Sequence, residues 1–176
     1  MTVSLQQISL HDLNDLAESR TPAAQQSRAI EGGLPPPPLV AARAVQHLAA
    51  GKCGHWCATF YVVRASDHKI VGSCGFKGEP VAGRVGIGYG MAPACRGQGI
   101  ATAAVKLLVQ LAFEQGVRQV MAEILPDNIT SAQAAEKLEF KRLGARLDEA
   151  GEWVAEWVVE RVAQVDKVEL YRLQNQ

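Results

Sequence analysis

No charge of either sign dominates this chain. Its 18 basic and 18 acidic residues give a formal net charge of +0, so there is no electrostatic ground for nucleic-acid or membrane-surface binding. No apolar run approaches the roughly 18 residues that a membrane span needs. The first ten residues lack the basic start and apolar block of a secretory signal, and a cytoplasmic location is the expectation. Cysteine is sparse: four, at positions 53, 57, 74 and 95. In a reducing compartment these are free thiols. Cys53, His55 and Cys57 are spaced like ligands, but no second pair follows at zinc-site spacing, and no metal is expected. The four histidines stand in unrelated contexts and read as surface or core residues. There is no internal repeat. A length of 176 residues, with 48% hydrophobic and 20% charged residues, fits one domain over 1–176 with a sizeable core.

What is present is a glycine-bearing turn, Arg96-Gly97-Gln98-Gly99-Ile100-Ala101. It lies between a strand-like stretch, Arg84 to Met91, and a helical one, Ile100 to Gln115. Glycines at such a turn let main-chain N–H groups approach a ligand. The helix start adds unsatisfied donors and the positive end of a dipole, so the turn is a site for phosphate or diphosphate. Two familiar phosphate loops do not fit. No Lys follows Gly99, as nucleotide hydrolases require, and Thr102 stands where the dinucleotide fingerprint needs its third glycine. A tight connection without ligand is the bland alternative for glycines alone.

The flanks add to this. Gly86, Gly88 and Gly90 interrupt a strand that Pro93 then ends. Such a strand is splayed or bulged and leaves main-chain groups for an extended ligand. Strands are also expected at Val3 to Ile8, Ala58 to Arg64, Lys69 to Phe76 and Arg118 to Leu125. Phe140 to Leu147 and Glu152 to Glu160 read as a closing pair. Helices are expected at Leu10 to Ser19 and Leu39 to Ala50, with Ile100, Ala104, Leu107, Leu108, Leu111 and Ala112 striping the one after the turn. A short helix starts at Asn128 or at Thr130, where Thr130 and Gln133 match a capping box. Gly32 to Pro38 is an irregular loop that either closes over a substrate or merely connects. Val162 to Gln176 reads as strand, helix or tail.

Arg96, Gly99 and Ala101, then Asn128 and Ser131, then Glu136-Lys137-Leu138-Glu139-Phe140 stand in one order and spacing. In these residues the chain resembles the GCN5-related N-acetyltransferase (GNAT) superfamily. Ile87-Gly88-Tyr89 adds a resemblance to its ribosomal-protein N-acetyltransferase branch. The resemblance covers residues 69–157. It implies an α/β fold with a mixed sheet of six or seven strands, splayed at the glycine-rich strand, and helices on both faces. It implies acetyl-coenzyme A as acetyl donor and a primary amine as acceptor, on a peptide N-terminus or a small molecule, with direct attack and no acyl-enzyme. The cofactor's diphosphate is expected on Arg96, Gly97, Gln98, Gly99, Ile100, Ala101 and Thr102. Its pantetheine is expected along Gly88 to Met91, which includes Tyr89 and Gly90.

An ammonium cannot attack a thioester, so a base is needed. Glu123, five residues before Asn128, is the candidate; alternation puts it opposite Val120, Ala122 and Ile124. Its other reading is a solvent-facing or ion-paired strand glutamate. Relatives often carry a proton-donating Tyr where this chain has Ala135; Ser131 is the substitute considered, or else a helix cap. Asn128 holds a cofactor or substrate amide, or caps its helix. Gly86 replaces a common Glu, and Glu139 a common glycine, which implies a different turn there. Trp153 and Trp157 share a strand face, for core or homodimer contact. Two rivals follow: a non-catalytic coenzyme A sensor, and a transferase of a larger acyl group such as succinyl.

Overall fold

The computed structural model describes residues 2–52 and 54–161. The expectations for Cys53 and for Val162 to Gln176 lie outside the described residues. The chain begins with β1 (Val3–Gln7), α1 (Leu10–Ala17), α2 (Ala23–Arg28) and α3 (Pro38–Ala49). There follow β2 (Thr59–Arg64), β3 (Ile70–Phe76), β4 (Arg84–Met91), α4 (Ile100–Glu114), β5 (Gln119–Ile124), α5 (Ile129–Lys137), β6 (Lys141–Leu147) and β7 (Trp153–Glu160). The strands form one seven-stranded sheet in the order β1-β2-β3-β4-β5-β7-β6. β4 and β5 run parallel, joined by the α4 crossover; every other neighbouring pair is antiparallel.

Side-chain alternation along β2 builds a core on each face. Val62 packs on one side with Val71, Ile87 and Val120, under Ala104 and Leu108 of α4. Tyr61 and Val63 face the other side with Ile70, under Leu13 and Leu16 of α1 and Ala41 and Ala44 of α3. The helices of this second face cover only the β1–β3 end. On β5 the residues alternate half-buried and buried: Val120, Ala122 and Ile124 are buried, while Met121 and Glu123 look onto an open sheet surface. That uncovered surface is where a substrate can reach the sheet.

Local signals explain most boundaries. Ser9 caps α1 by accepting from the Asp12 amide at 3.1 Å. Pro38 starts α3 at a position that needs no donor. Gly116, at φ 86°, follows α4. α5 starts from Asn128, whose side chain accepts from the Ser131 amide at 3.1 Å. The capping box expected at Thr130 does not form, because the helix has already begun there.

α5 ends in a Schellman turn. The Phe140 amide donates to the Ala135 carbonyl and the Glu139 amide to that of Glu136, both at 3.0 Å. Glu139 sits at φ 63°. A different turn was expected from the missing glycine; instead the glycine turn is kept, at the cost of a strained residue. Glu139→Gly is therefore expected to raise stability by about 1 kcal/mol, read as a higher urea midpoint at unchanged slope.

Two buried groups make the fold sensitive to alkali. Burial pushes the Tyr61 phenol up to about 12, and its hydroxyl has no hydrogen-bond partner among the described residues. Burial pushes the Cys74 thiol up to about 12 as well. The native state thus holds both protons more tightly than the unfolded chain does. Their stabilisation is complete below the unfolded values and is lost as pH climbs through them towards 12. Tyr61→Phe removes an unpaired buried hydroxyl, worth about 1 kcal/mol. Urea melts should show a higher midpoint at pH 7 and a shallower fall between about pH 10 and pH 12.

Candidate active site

β4 and β5 pair only from Arg84 to Ile87, against Gln119 to Ala122. Beyond Ile87, β4 stays with β3 as far as Met91, while β5 continues with β7 as far as Ile124. The two parallel strands part there, so Gly88 to Met91 have no strand neighbour on the β5 side. This is the splay expected from the glycines. The chain then turns through Pro93–Cys95 into the loop.

In that loop Gly97 and Gly99 lie at φ 72° and 74°, a left-handed backbone that residues with a Cβ adopt at a penalty. A Cβ at either would meet nothing within 4 Å, so conformation and not space requires glycine. Gly99 is the N-cap of α4 and offers no side-chain cap. The main-chain N–H groups of residues 97–102 donate to no acceptor among the described residues. Six successive donors without an acceptor, at the positive end of a 15-residue helix, form an anion cradle. The Gln98 side chain braces the loop by donating to the Ala94 carbonyl at 2.9 Å. Arg96 is exposed; its amide donates to the Pro93 carbonyl at 3.2 Å, and its guanidinium makes no hydrogen bond or ion pair among the described residues. Ile100, fully buried, anchors the helix beneath.

Tyr89 bridges the split: its phenol donates to the Ser131 carbonyl at 3.1 Å. Burial pushes that phenol up to about 12, against a smaller opposing effect of the Ser131 hydrogen bond. Tyr89, Ser131 and Asn128 thus meet at the start of α5. Asn128 is the cap and is exposed. Ser131 is not the cap; its amide is what the cap binds. Ala135 is 1% exposed and packed into the core, so a phenol has no room there.

Glu123 points onto the opposite, open face. Its side chain is 14% exposed, and Lys77 Nζ donates to its Oε2 at 2.7 Å. Arg146 Nη2 bonds its other oxygen, while Arg146 Nε lies 3.4 Å from Glu156. Neither cation was expected from sequence: Lys77 is 46 residues away and Arg146 is 23. A Cβ built at Gly86 would touch the Lys77 stem at 3.4 Å. The Lys77 stem therefore lies directly over Gly86.

Two cavities flank this stem on the same face. One, of about 1030 Å³, is an open charged cleft over Gly86, Met121, Glu123 and Arg146. The other, of about 320 Å³, is mostly apolar and runs between Pro35–Pro37 and the β4 positions Gly88 and Gly90. Arg43 and Lys77 border both. The Gly32 to Pro38 loop therefore roofs a pocket, where plain connection had been the alternative. Among the described residues no group of three His, Cys, Asp or Glu side chains could hold a metal ion, and no helix is long and apolar enough to cross a membrane. Trp157 is buried and Trp153 is 60% exposed, so the two tryptophans part in role at the end of their strand.

A mixed sheet opened between parallel strands, with an amide cradle at the mouth, defines the acyl-coenzyme A N-acyltransferase fold. Residues 2–141 match the sequence model described as the acetyltransferase (GNAT) domain, and the chain belongs to that family of acetyl-coenzyme A-dependent N-acetyltransferases. The match reaches further towards the N-terminus than the motif-bearing region. Solved structures agree on the fold. A ribosomal-protein-S5-alanine acetyltransferase from Vibrio fischeri superposes with a TM-score of 0.64 at 18% identity, over 93% of this chain and 95% of that one. An aminoglycoside acetyltransferase in complex with coenzyme A gives 0.62 at 20%, over 91% and 95%. A spermidine N-acetyltransferase chimera built in part from Vibrio cholerae gives 0.63 at 13%, over 91% and 96%. None of the curated proteins matches the chain in sequence.

Proposed function

We propose that the chain transfers an acetyl group from acetyl-coenzyme A to a primary amine by direct attack within a ternary complex. The observation that carries this reading is the run of six unsatisfied main-chain donors at residues 97–102, at the end of a strand that has left its neighbour. Arg96, Gly97, Gln98, Gly99, Ile100, Ala101 and Thr102 bind the diphosphate. The free edge through Tyr89, Gly90 and Met91 pairs with the pantetheine amides, and Asn128 borders the mouth of the same split. The arrangement works mostly by positioning. Holding amine and thioester together is worth up to about 7–11 kcal/mol as effective concentration.

Glu123 is the proton acceptor for the incoming amine, which approaches over Gly86 on the open face. Two cations already engage its carboxylate, so the incoming amine must take the place of one of them. The leaving thiolate takes a proton from the Ser131 side, at the start of α5. Calorimetry with coenzyme A and thiol release across a panel of amines test the reading together. Binding at micromolar affinity with amine-dependent thiol release supports it. Binding without turnover by any amine points to a coenzyme A sensor, and preferential turnover of succinyl-coenzyme A to a larger acyl donor. No binding ends the reading.

A further inference from the structure

The acceptor's chemistry can be read from the smaller cavity. Its volume, about 320 Å³, lies at the low end of roughly 300–1,000 Å³ for small-molecule pockets. The roof is built by Pro35–Pro37 and by Val40, Ala44 and His47 of α3, residues at helical spacing on one side of that helix. The floor is β-sheet in which Gly75, Gly88 and Gly90 present no side chain. Two hydroxyls interrupt that floor. Thr59 and Ser73 are 3% and 6% exposed, line the cavity, and make no side-chain hydrogen bond among the described residues. Hydroxyls that line a cavity complete their hydrogen bonds with water or with a polar group of a ligand.

The charges around the cavity are unevenly committed. Lys77 and Arg146 are bound to Glu123, and Arg84 donates to the Gln119 side chain at 2.9 Å. The side chain of Arg43, half-buried at the boundary of both cavities, has no hydrogen bond or ion pair among the described residues. The acids are largely engaged. Glu123 and Glu156 meet Arg146, Glu79 lies 3.9 Å from Lys52, and Asp148 accepts from the Ala150 and Glu152 amides. Glu149, on the exposed β6–β7 turn, has no such engagement among the described residues. A polycation would find little to hold it. An anion would find a waiting guanidinium beside an apolar chamber.

We propose that the acceptor is a free apolar α-amino acid. Its side chain fills the proline-roofed cavity, its carboxylate is held by Arg43, and its α-amine is directed past Lys77 towards Glu123. This rests on the acetyltransferase reading above. In the transfer the amine nitrogen bonds the acetyl carbon as the carbon–sulfur bond breaks. One amine proton leaves to Glu123, and the sulfur departs as thiolate. A guanidinium–carboxylate pair at a half-buried site is a charge-assisted, bidentate contact, and its loss costs about 10–100-fold in affinity.

Thiol release from acetyl-coenzyme A by the full chain tests this, with L-leucine and L-phenylalanine against their carboxamides, their N-terminal dipeptides, spermidine and kanamycin. The free amino acids are expected to exceed the carboxamides at least about tenfold in kcat/KM. Arg43→Gln should raise KM for the acids with kcat nearly kept, and leave KM for the amides within about twofold. Val40→Trp should exclude phenylalanine more than alanine. Equal rates on acids and amides, equal losses by Arg43→Gln on both, or preference for dipeptides or polycations overturn the proposal. Coenzyme A calorimetry separates the failures. Binding with turnover of another amine sinks only this inference, and no binding sinks the acetyltransferase reading with it.

Discussion

Glu123→Gln lowers kcat by about 10²–10⁴-fold at pH 7 and leaves coenzyme A affinity within about threefold. The size follows from the acceptor's chemistry. An α-amine titrates at about 7.7–8.0 and a lysine-like amine at about 10.4, so much or nearly all of the nucleophile arrives protonated at neutral pH. Glutamine keeps the shape of Glu123 but cannot take a proton. It also loses the charge that holds Lys77 and Arg146, so a purely structural role must be distinguished from a base. The pH profile does this. If Glu123 is the base, the deficit shrinks as pH rises and the amine sheds its proton unaided. If it is only the hub joining β3, β5 and β6, the deficit is constant with pH and is matched by a fall in the urea midpoint. A deficit that does not narrow between pH 7 and pH 9.5 removes Glu123 from the chemistry.

The parts of this site that can be seen in sequence are those made by neighbours along the chain. Arg84–Met91 stands where the glycines and Pro93 bounded it, because strand ends and splay are local effects of missing Cβ atoms and a missing donor. The apolar stripe of α4 is equally local, and so is the cradle at its start. α2, by contrast, escaped notice. Ala23–Arg28 has no apolar stripe, and its place is secured from outside by Gln25, whose side chain donates to the Gly33 carbonyl at 3.3 Å. The clamp on Glu123 was hidden for the same reason. Its cations come from β6 and from the residue after β3, and nothing in their own neighbourhoods marks them. Arg43 reads in sequence as one more helix surface charge. Only the packing of α3 and the proline loop over β3 and β4 turns it towards a cavity. Glu139 marks the opposite limit. A residue unsuited to its turn is tolerated because the Schellman bonds and the buried Phe140 outweigh about 1–2 kcal/mol of backbone strain.

Gly99→Val is expected to weaken coenzyme A binding by at least about 100-fold while the sheet and α4 survive. At φ 74° a β-branched residue pays about 1–2 kcal/mol or more in the left-handed region. The chain relieves this by rotating the peptide units on either side, and that rotation turns the amides of Gly99 and Ile100 out of the cradle. Each hydrogen bond to a charged oxygen is worth about 1.5–3 kcal/mol, so losing one or two gives the predicted factor. The surroundings make the test clean, since a Cβ at Gly99 meets nothing within 4 Å and no core contact is disturbed. Gly116→Ala is the control: it too has a positive φ, 86°, and open space around it, but it ends α4 far from the cradle. It should cost stability of similar size and leave coenzyme A affinity unchanged. If the amides meet the diphosphate as proposed, removing only the 3′-phosphate, with dephospho-coenzyme A as ligand, should leave the Gly99→Val deficit intact. Should Gly99→Val bind coenzyme A like the parent chain, main-chain capture at residues 97–102 is wrong, and the reaction assigned to the split strand falls with it.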